Sequence, residues 1–214
     1  MNEKIKGAAL FSGKDSLYSI YLVERLGISI SYLITFITTF NRPSGHLENI
    51  NVLKKIAEKM NKQLFIIDLK NGVNDFINIL NKLNINILVG GDVFIEDHVK
   101  WLENICKKLN ISIIEPIFHR SSLNILKEMM KEKFKAMIIC IDNNVLNEEW
   151  LGFILSEETL DYFLDKNRDI DPLGENGEYH TLVLECPLYK NPVKVLSWKK
   201  YRFNNYSYII CEVE

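Results

Sequence analysis

Residues Ser12-Gly13-Lys14-Asp15-Ser16 bring two hydroxyls, an ammonium and a carboxylate onto one short turn. Ala8-Ala9-Leu10-Phe11 precedes it and an apolar-periodic stretch over 17–26 follows, so the turn joins a buried strand to a helix. A helix that opens at the carboxyl end of a strand offers unpaired N–H groups and a positive dipole end, which suits a phosphate. Lys14 adds a mobile positive charge, and Ser12 and Ser16 add hydroxyl donors. The same residues also suit a purely structural purpose: Ser12 and Asp15 are good N-cap residues, and Ser-x-x-Asp resembles a capping box. Two common nucleotide motifs are excluded. A Walker A loop needs an earlier glycine where Ala8 stands and a Ser or Thr where Asp15 stands. The dinucleotide fingerprint needs spaced glycines, and only Gly13 is present.

Two further runs carry chemistry. Gly90-Gly91-Asp92 ends a strand and precedes a helix. It reads either as a turn with Asp92 near the N-cap, or as a close backbone approach to a ligand with Asp92 on a metal or hydroxyl. Asp171-Pro172-Leu173-Gly174-Glu175-Asn176-Gly177-Glu178-Tyr179-His180 places two carboxylates, Glu175 and Glu178, around an Asn-Gly turn. It is either a solvated acidic loop or a pair that holds Mg²⁺ or orients an ammonium nucleophile. His46, His98, His119 and His180 show no helical metal spacing, so a zinc site is not expected. Trp198-Lys199-Lys200-Tyr201-Arg202 reads as a lysine-protected edge strand, with nucleic-acid contact the minor alternative.

The elements that must position these residues alternate. Strand patterns over 28–38, 63–69, 86–89, 111–115 and 136–141 are separated by helical patterns over 47–60, 73–83, 96–109 and 122–133. Such alternation predicts right-handed β-α-β units and a doubly wound parallel sheet. Ligands bind outside the carboxyl ends of such strands, where 12–16, 36–39 and 90–92 should converge. After residue 142 the pattern changes. A helix over 150–163, a turn-rich segment over 169–178 and strands over 181–184, 193–201 and 206–213 predict a smaller C-terminal α+β domain. The expected domains are therefore 1–142 and 143–214.

Composition sets the frame. The 214-residue chain is 47% apolar and 25% charged, ordinary for a globular protein, and its net charge of −2 gives no global pull toward nucleic acid or membrane. Cys106, Cys140, Cys186 and Cys211 form no C-x-x-C pair and read as buried reduced thiols. No secretory apolar region and no run of about 18 apolar residues occurs, so a soluble, cytoplasmic protein is expected.

In this order the pieces resemble the PP-loop ATPases (adenine nucleotide alpha hydrolase-like), and more closely the diphthine–ammonia ligase family. In the superfamily the first turn reads Ser-Gly-Gly-x-Asp-Ser and holds the pyrophosphate of ATP. The closer resemblance lies in Gly90-Gly91-Asp92, in Leu146-Asn147-Glu148-Glu149-Trp150-Leu151-Gly152 and in Gly174-Glu175-Asn176-Gly177-Glu178-Tyr179-His180-Thr181. The last is similar to the family's Gly-Glu-x-Gly-Glu followed by Phe or Tyr. One departure is plain: the glycine doublet is single, so either Ser12 stands on the family's first Gly and Phe11 on its first Ser, or one Gly is deleted and Ser12 keeps its role.

The resemblance implies a Rossmann-like HUP/PP-loop sheet and an ATP-dependent, AMP-forming amide synthesis on diphthine of translation elongation factor 2, with ammonia as the nitrogen source. It implies that Ser12, Gly13, Lys14, Asp15 and Ser16 hold pyrophosphate, that Asp15 or Asp92 holds Mg²⁺, and that Phe36, with Gly90 and Gly91 nearby, lines the nucleotide. Lys14, Asp15, Glu175 and Glu178 are then the expected catalytic residues. Trp150, Glu175, Asn176, Gly177, Glu178 and Tyr179 are the expected substrate contacts, with Trp150 or Tyr179 facing the trimethylammonium group. A homodimer is compatible with this reading. Its rivals are another PP-loop ATP pyrophosphatase, such as a tRNA-modifying enzyme, and a non-catalytic nucleotide-binding module.

Overall fold

The computed structural model describes residues 5–37 and 44–214. Its first half runs β1 (Lys6–Leu10), α1 (Lys14–Arg25), β2 (Ser29–Ile37), α2 (Gly45–Glu48), α3 (Ile50–Lys59), β3 (Gln63–Asp68), α4 (Asn74–Leu83), β4 (Ile87–Val89), α5 (Glu96–Leu109) and β5 (Ser112–Ile114). Then follow α6 (Ser122–Lys131), β6 (Lys135–Asp142), β7 (Ile154–Leu155), α7 (Leu160–Lys166), β8 (Tyr179–Glu185), β9 (Val195–Phe203) and β10 (Tyr206–Val213). Thr38, Thr39 and the expected loop residues 41–43 lie outside the described residues. The chain forms two compact units. One comprises residues 5–37 and Asn61–His119; the other comprises residues 44–60 and Arg120–Glu214.

The first unit is the expected parallel sheet, in the order β3-β2-β1-β4-β5. Every neighbouring pair is parallel. Ala8, Ala9, Leu88 and Val89 are buried, the unbroken apolar pattern of central parallel strands. α1 turns Leu17, Tyr18, Ile20 and Val23 inward, and α5 turns Val99, Leu102, Ile105 and Cys106 inward. These side chains follow the helical spacing, and each one buried contributes about 1.5–3 kcal/mol. α4 and α5 each stop at an asparagine in the left-handed region, Asn84 at φ 49 and Asn110 at φ 56. The strand order reverses at β1, with β2 on one side and β4 on the other, so the switch point at which doubly wound sheets bind ligands falls at the carboxyl ends of β1 and β4.

The second unit is built on an antiparallel sheet, β7-β6-β10-β9, with β8 also paired to β6. This moves the expected boundary at 142. β6 runs antiparallel to β7, β8 and β10 and centres the second sheet, although the sequence reads it with the first domain. Its residues Ala136 to Ile141 are buried throughout, and a continuous apolar run does not reveal the direction of its neighbours.

The helix expected over 47–60 also belongs here, broken in two at Asn49. Asn49 is 2% exposed. Its amide nitrogen donates to the Gly45 and Ile209 carbonyls at 2.8 Å each, and its Oδ1 accepts the Cys211 N–H at 2.7 Å. A single buried carboxamide thus ties α2 and α3 to β10. The helix expected over 150–163 is replaced by a tight turn at Glu148–Trp150, β7 and the shorter α7. Gly152 at φ +82 and the Ser156–Thr159 turn, with the Ser156 N–H on Thr159 Oγ1 at 2.9 Å, interrupt it.

All four cysteines are buried and unbridged, and burial pushes the Cys186 thiol up to about 12 and the Cys106 and Cys211 thiols up to about 11. Burial thus keeps Cys106, Cys186 and Cys211 as unreactive thiols. Among the described residues no helix is long and apolar enough to cross a membrane.

Candidate active site

The turn after β1 is anchored to β2. The Phe11 N–H donates to the Ile34 carbonyl at 2.8 Å, and the Thr35 hydroxyl donates to the Phe11 carbonyl at 2.6 Å. α1 then opens at Lys14 with Gly13 as N-cap, φ −111 and no side-chain cap. The Ser12–Asp15 capping box is therefore not formed. Ser16 does the shaping instead: its Oγ accepts the Ser12 N–H at 2.9 Å and donates to the Gly13 carbonyl at 2.9 Å. Both ends of that hydroxyl are committed to the turn, so Ser16 shapes the loop and is no free donor. Ser12 stays out of the positive-φ region, so the single glycine costs the loop no backbone strain.

Lys14 is 2% exposed, not mobile, and its Nζ lies 3.0 Å from Asp15 Oδ2. Packing takes up the alkyl stem, and the neighbouring carboxylate meets the charge. Asp15 Oδ1 is buried without a hydrogen-bond partner among the described residues. An orphaned carboxylate oxygen of this kind is chemically suited to a hard cation.

At the end of β4 the two glycines have distinct reasons. A Cβ on Gly91 would lie 2.9 Å from Ser16 Cα and 3.0 Å from Ser16 N, so this turn is packed on the first turn of α1. A Cβ on Gly90 would lie 1.8 Å from Glu115 Oε1. The space left at Gly90 is filled by the chain's own carboxylate, not kept open for a ligand. Glu115 Oε2 accepts the Asp92 N–H at 3.1 Å, and Oε1 is buried without a partner among the described residues. Burial, with the Asp92 carboxylate beside it, pushes the Glu115 carboxyl up to about 7. Asp92 Oδ2 sits 2.7 Å from His98 Nδ1, and this hydrogen bond raises the imidazole above its usual value. With that oxygen committed to His98, Asp15 is the better fit of the two expected metal ligands. Among the described residues no group of three or more His, Cys, Asp or Glu could hold a metal.

Phe36, near the end of β2, packs edge-on to Phe76 at 5.0 Å and to Trp101 at 6.0 Å. Trp101 stacks on His98 at 5.6 Å. A contact path therefore runs from Phe36 through Trp101, His98 and Asp92 to Glu115 along the carboxyl edge of the sheet. Sequence reasoning missed His98, Trp101 and Glu115. Glu115 stands where a strand pattern meets Pro116, a position that marks a strand's carboxyl end, and that was the available signal.

In the second unit the 171–178 loop is organised by its own carboxylates. Glu178 is 6% exposed. Its Oε1 accepts the Asp171 N–H at 3.0 Å and the Asn176 amide at 2.9 Å, and its Oε2 accepts the Asn176 N–H at 2.9 Å. Asp171 Oδ1 accepts from Leu173 and Glu175 N–H groups at 2.9 and 3.3 Å. Gly174 at φ +76 and Gly177 at φ +87 make the left-handed corners. Glu178 is thus the loop's internal acceptor, whereas Glu175 is half-buried on it.

Trp150 and Tyr179 are core residues. Both pack against Phe163, at 5.3 and 5.6 Å, and the Tyr179 hydroxyl donates to the Pro172 carbonyl at 2.5 Å. Trp150 is 6% exposed and Tyr179 2%, so neither offers an open ring face in this structure.

Residues 5–113 match the family model described as diphthamide synthase N-terminal domain, and residues 121–213 match the diphthamide synthase C-terminal domain. The diphthine–ammonia ligase of Mus musculus is 35% identical over 96 residues, 44% of this chain and 36% of that protein. The Homo sapiens ligase is 34% identical over 96 residues, with the same shares. The ligase of Schizosaccharomyces pombe is 32% identical over 93 residues, 43% of this chain and 15% of that protein. The match thus spans 36% or less of these curated relatives' own length. The solved U34-tRNA thiolase NcsA from Methanococcus maripaludis with its 4Fe-4S cluster is 18% identical, covers 82% of this chain and 72% of that one, and superposes with a TM-score of 0.40. So low a score carries no argument about fold or function.

Proposed function

The chain belongs to the diphthamide synthase family, and we propose on that basis that it is an ATP-dependent, AMP-forming amide ligase that converts diphthine on translation elongation factor 2 to diphthamide with ammonia. The observation that carries this reading is the place of residues 12–16, which open α1 between β1 and β4 where the strand order reverses.

In the proposed reaction the diphthine carboxylate attacks the α-phosphorus of ATP and pyrophosphate leaves. Ammonia then attacks the acyl carbon and AMP leaves. The N–H groups at the start of α1, with Lys14, stabilise the charge that develops on the departing pyrophosphate. Asp15 would hold a Mg²⁺ ion, which would supply Lewis-acid neutralisation of negative charge there. Phe36 and Trp101 offer aromatic surface to the adenine. Glu175 receives ammonium or the cationic side chain of diphthine, while Glu178 fixes the loop that presents it.

The purified chain, incubated with ATP, ammonium and diphthine-form elongation factor 2, should release AMP only when all three are present. ATP binding with no AMP under any condition would overturn the ligase in favour of a nucleotide-binding module. AMP release on a tRNA acceptor instead would place the chain among the tRNA-modifying pyrophosphatases.

A further inference from the structure

Several contacts meet at Glu115, which follows β5 directly. Its Oε2 accepts the Asp92 N–H at 3.1 Å. Its carboxylate occupies the notch beside Gly90, where a Cβ would come within 1.8 Å of Oε1, 2.4 Å of Cδ and 2.5 Å of Oε2. Between those two anchor points lies Gly91, whose Cα faces Ser16 so closely that a Cβ would lie 2.9 Å from Ser16 Cα and 3.3 Å from the Asp15 carbonyl carbon. Ser16 in turn holds the Ser12 N–H and the Gly13 carbonyl through its hydroxyl. The contact chain therefore runs Glu115, Gly90 and Asp92, Gly91, Ser16, Ser12, and each link is a hydrogen bond or a van der Waals approach.

We infer that Glu115 is a positioning residue for the nucleotide loop: it clamps the Gly90-Gly91-Asp92 turn from below, and through Gly91 that turn holds the first turn of α1 in its phosphate-ready form. The inference rests on the reading of residues 12–16 as the phosphate site. Glu115 touches no reacting atom in this account. It supplies an acceptor for one buried N–H and a volume that fits the Gly90 notch. Both are properties of a glutamine as well, and neither belongs to an alanine. The missing side chain at Gly90 is thereby explained. An alanine there pushes the carboxylate out of its notch and away from the Asp92 N–H, which reproduces the loss of Glu115.

The test uses the full chain and four variants: Glu115→Ala, Glu115→Gln, Gly90→Ala and the double variant Gly90→Ala with Glu115→Ala. Amide hydrogen exchange without nucleotide is the first readout. In Glu115→Ala and Gly90→Ala the Asp92 amide and the amides of 13–16 should exchange about tenfold faster or more, while those of α4 stay as they are. Glu115→Gln should restore the wild-type pattern, and the double variant should be no worse than Glu115→Ala, since both changes break one contact. Faster exchange at Asp92 alone, with 13–16 unchanged, would overturn the inference.

Calorimetric binding of ATP and of adenosine is the second readout. Glu115→Ala should weaken ATP about tenfold and leave adenosine unchanged, whereas a general loss of folding weakens both alike. ATP affinity within about twofold of wild type in Glu115→Ala would also overturn it. If the wild-type chain binds no ATP, the ligase reading fails and the exchange pattern alone decides the role of Glu115.

Discussion

Glu115 makes the stability of the first unit depend on pH in a definite direction. A glutamate ordinarily titrates near 4.5, and burial raises this one to about 7. Between these values the folded state keeps a proton that the unfolded chain has lost. The stability Glu115 contributes is therefore fully present below the unfolded value and is lost as pH rises through about 7. The shift corresponds to about 3 kcal/mol at most, at about 1.36 kcal/mol per pH unit. The side chain is partly open to water, which screens the penalty and brings the expected figure to about 1–2 kcal/mol. The perturbation is Glu115→Gln, which holds the neutral shape at every pH. Urea unfolding followed by circular dichroism at about pH 5 and about pH 8 gives the comparison. Wild type should lose about 1–2 kcal/mol more than Glu115→Gln over that interval. His98, also raised by its bond to Asp92, contributes with the same sign and leaves a residual slope in the variant. Equal slopes in the two proteins, within about 0.3 kcal/mol, would refute the burial argument.

Three further outcomes are expected. Lys14→Met removes the cation at the pyrophosphate and leaves the Asp15 carboxylate unpaired from it, so AMP release should fall about a hundredfold or more in single-turnover assays, with ATP binding also weakened. Asn49→Ala breaks three buried hydrogen bonds and should lower the unfolding free energy by about 2–4 kcal/mol in denaturant titrations, with amides of β10 exchanging faster. Glu178→Ala should open the 171–178 loop, seen as lost amide protection at Asp171 and Asn176, whereas Glu175→Ala should leave that protection intact and lower amidation alone; the opposite split would exchange their roles.

The parts of the fold that were legible in sequence are those set by local pattern. Alternating strand and helix periods gave β1 to β5 and the loops at their carboxyl ends, because a central parallel strand and an amphipathic helix each carry their own signature. β6 escaped because its all-apolar run looks the same beside parallel or antiparallel neighbours, and the pairing with β8 and β10 is decided by segments far along the chain. In the site, the backbone features were readable and the side-chain commitments were not. Nothing local to Ser16, Glu178 or Tyr179 says that the hydroxyl, carboxylate or phenol is already spent on a neighbouring backbone group. Trp150 looks open to a ligand until its packing is known. Glu115 needed the opposite step, from a lone carboxylate at a strand end to the glycine it fills.

The break at Asn49 has a consequence for how the chain acquires its structure during synthesis. The carboxamide that fixes α2 to α3 finds its partners at Ile209 and Cys211, 160 and 162 residues onward. A ribosome therefore releases α2 and α3 long before their anchor in β10 exists. Closing so long a loop is slow in topological terms, and until it closes α2 and α3 lack their β10 anchor, although β6 can already pair with β7 and β8. Truncation of even the final strand should thus trap the early helices as an open, aggregation-prone intermediate, while the parallel sheet around β1 and β4 can complete itself first.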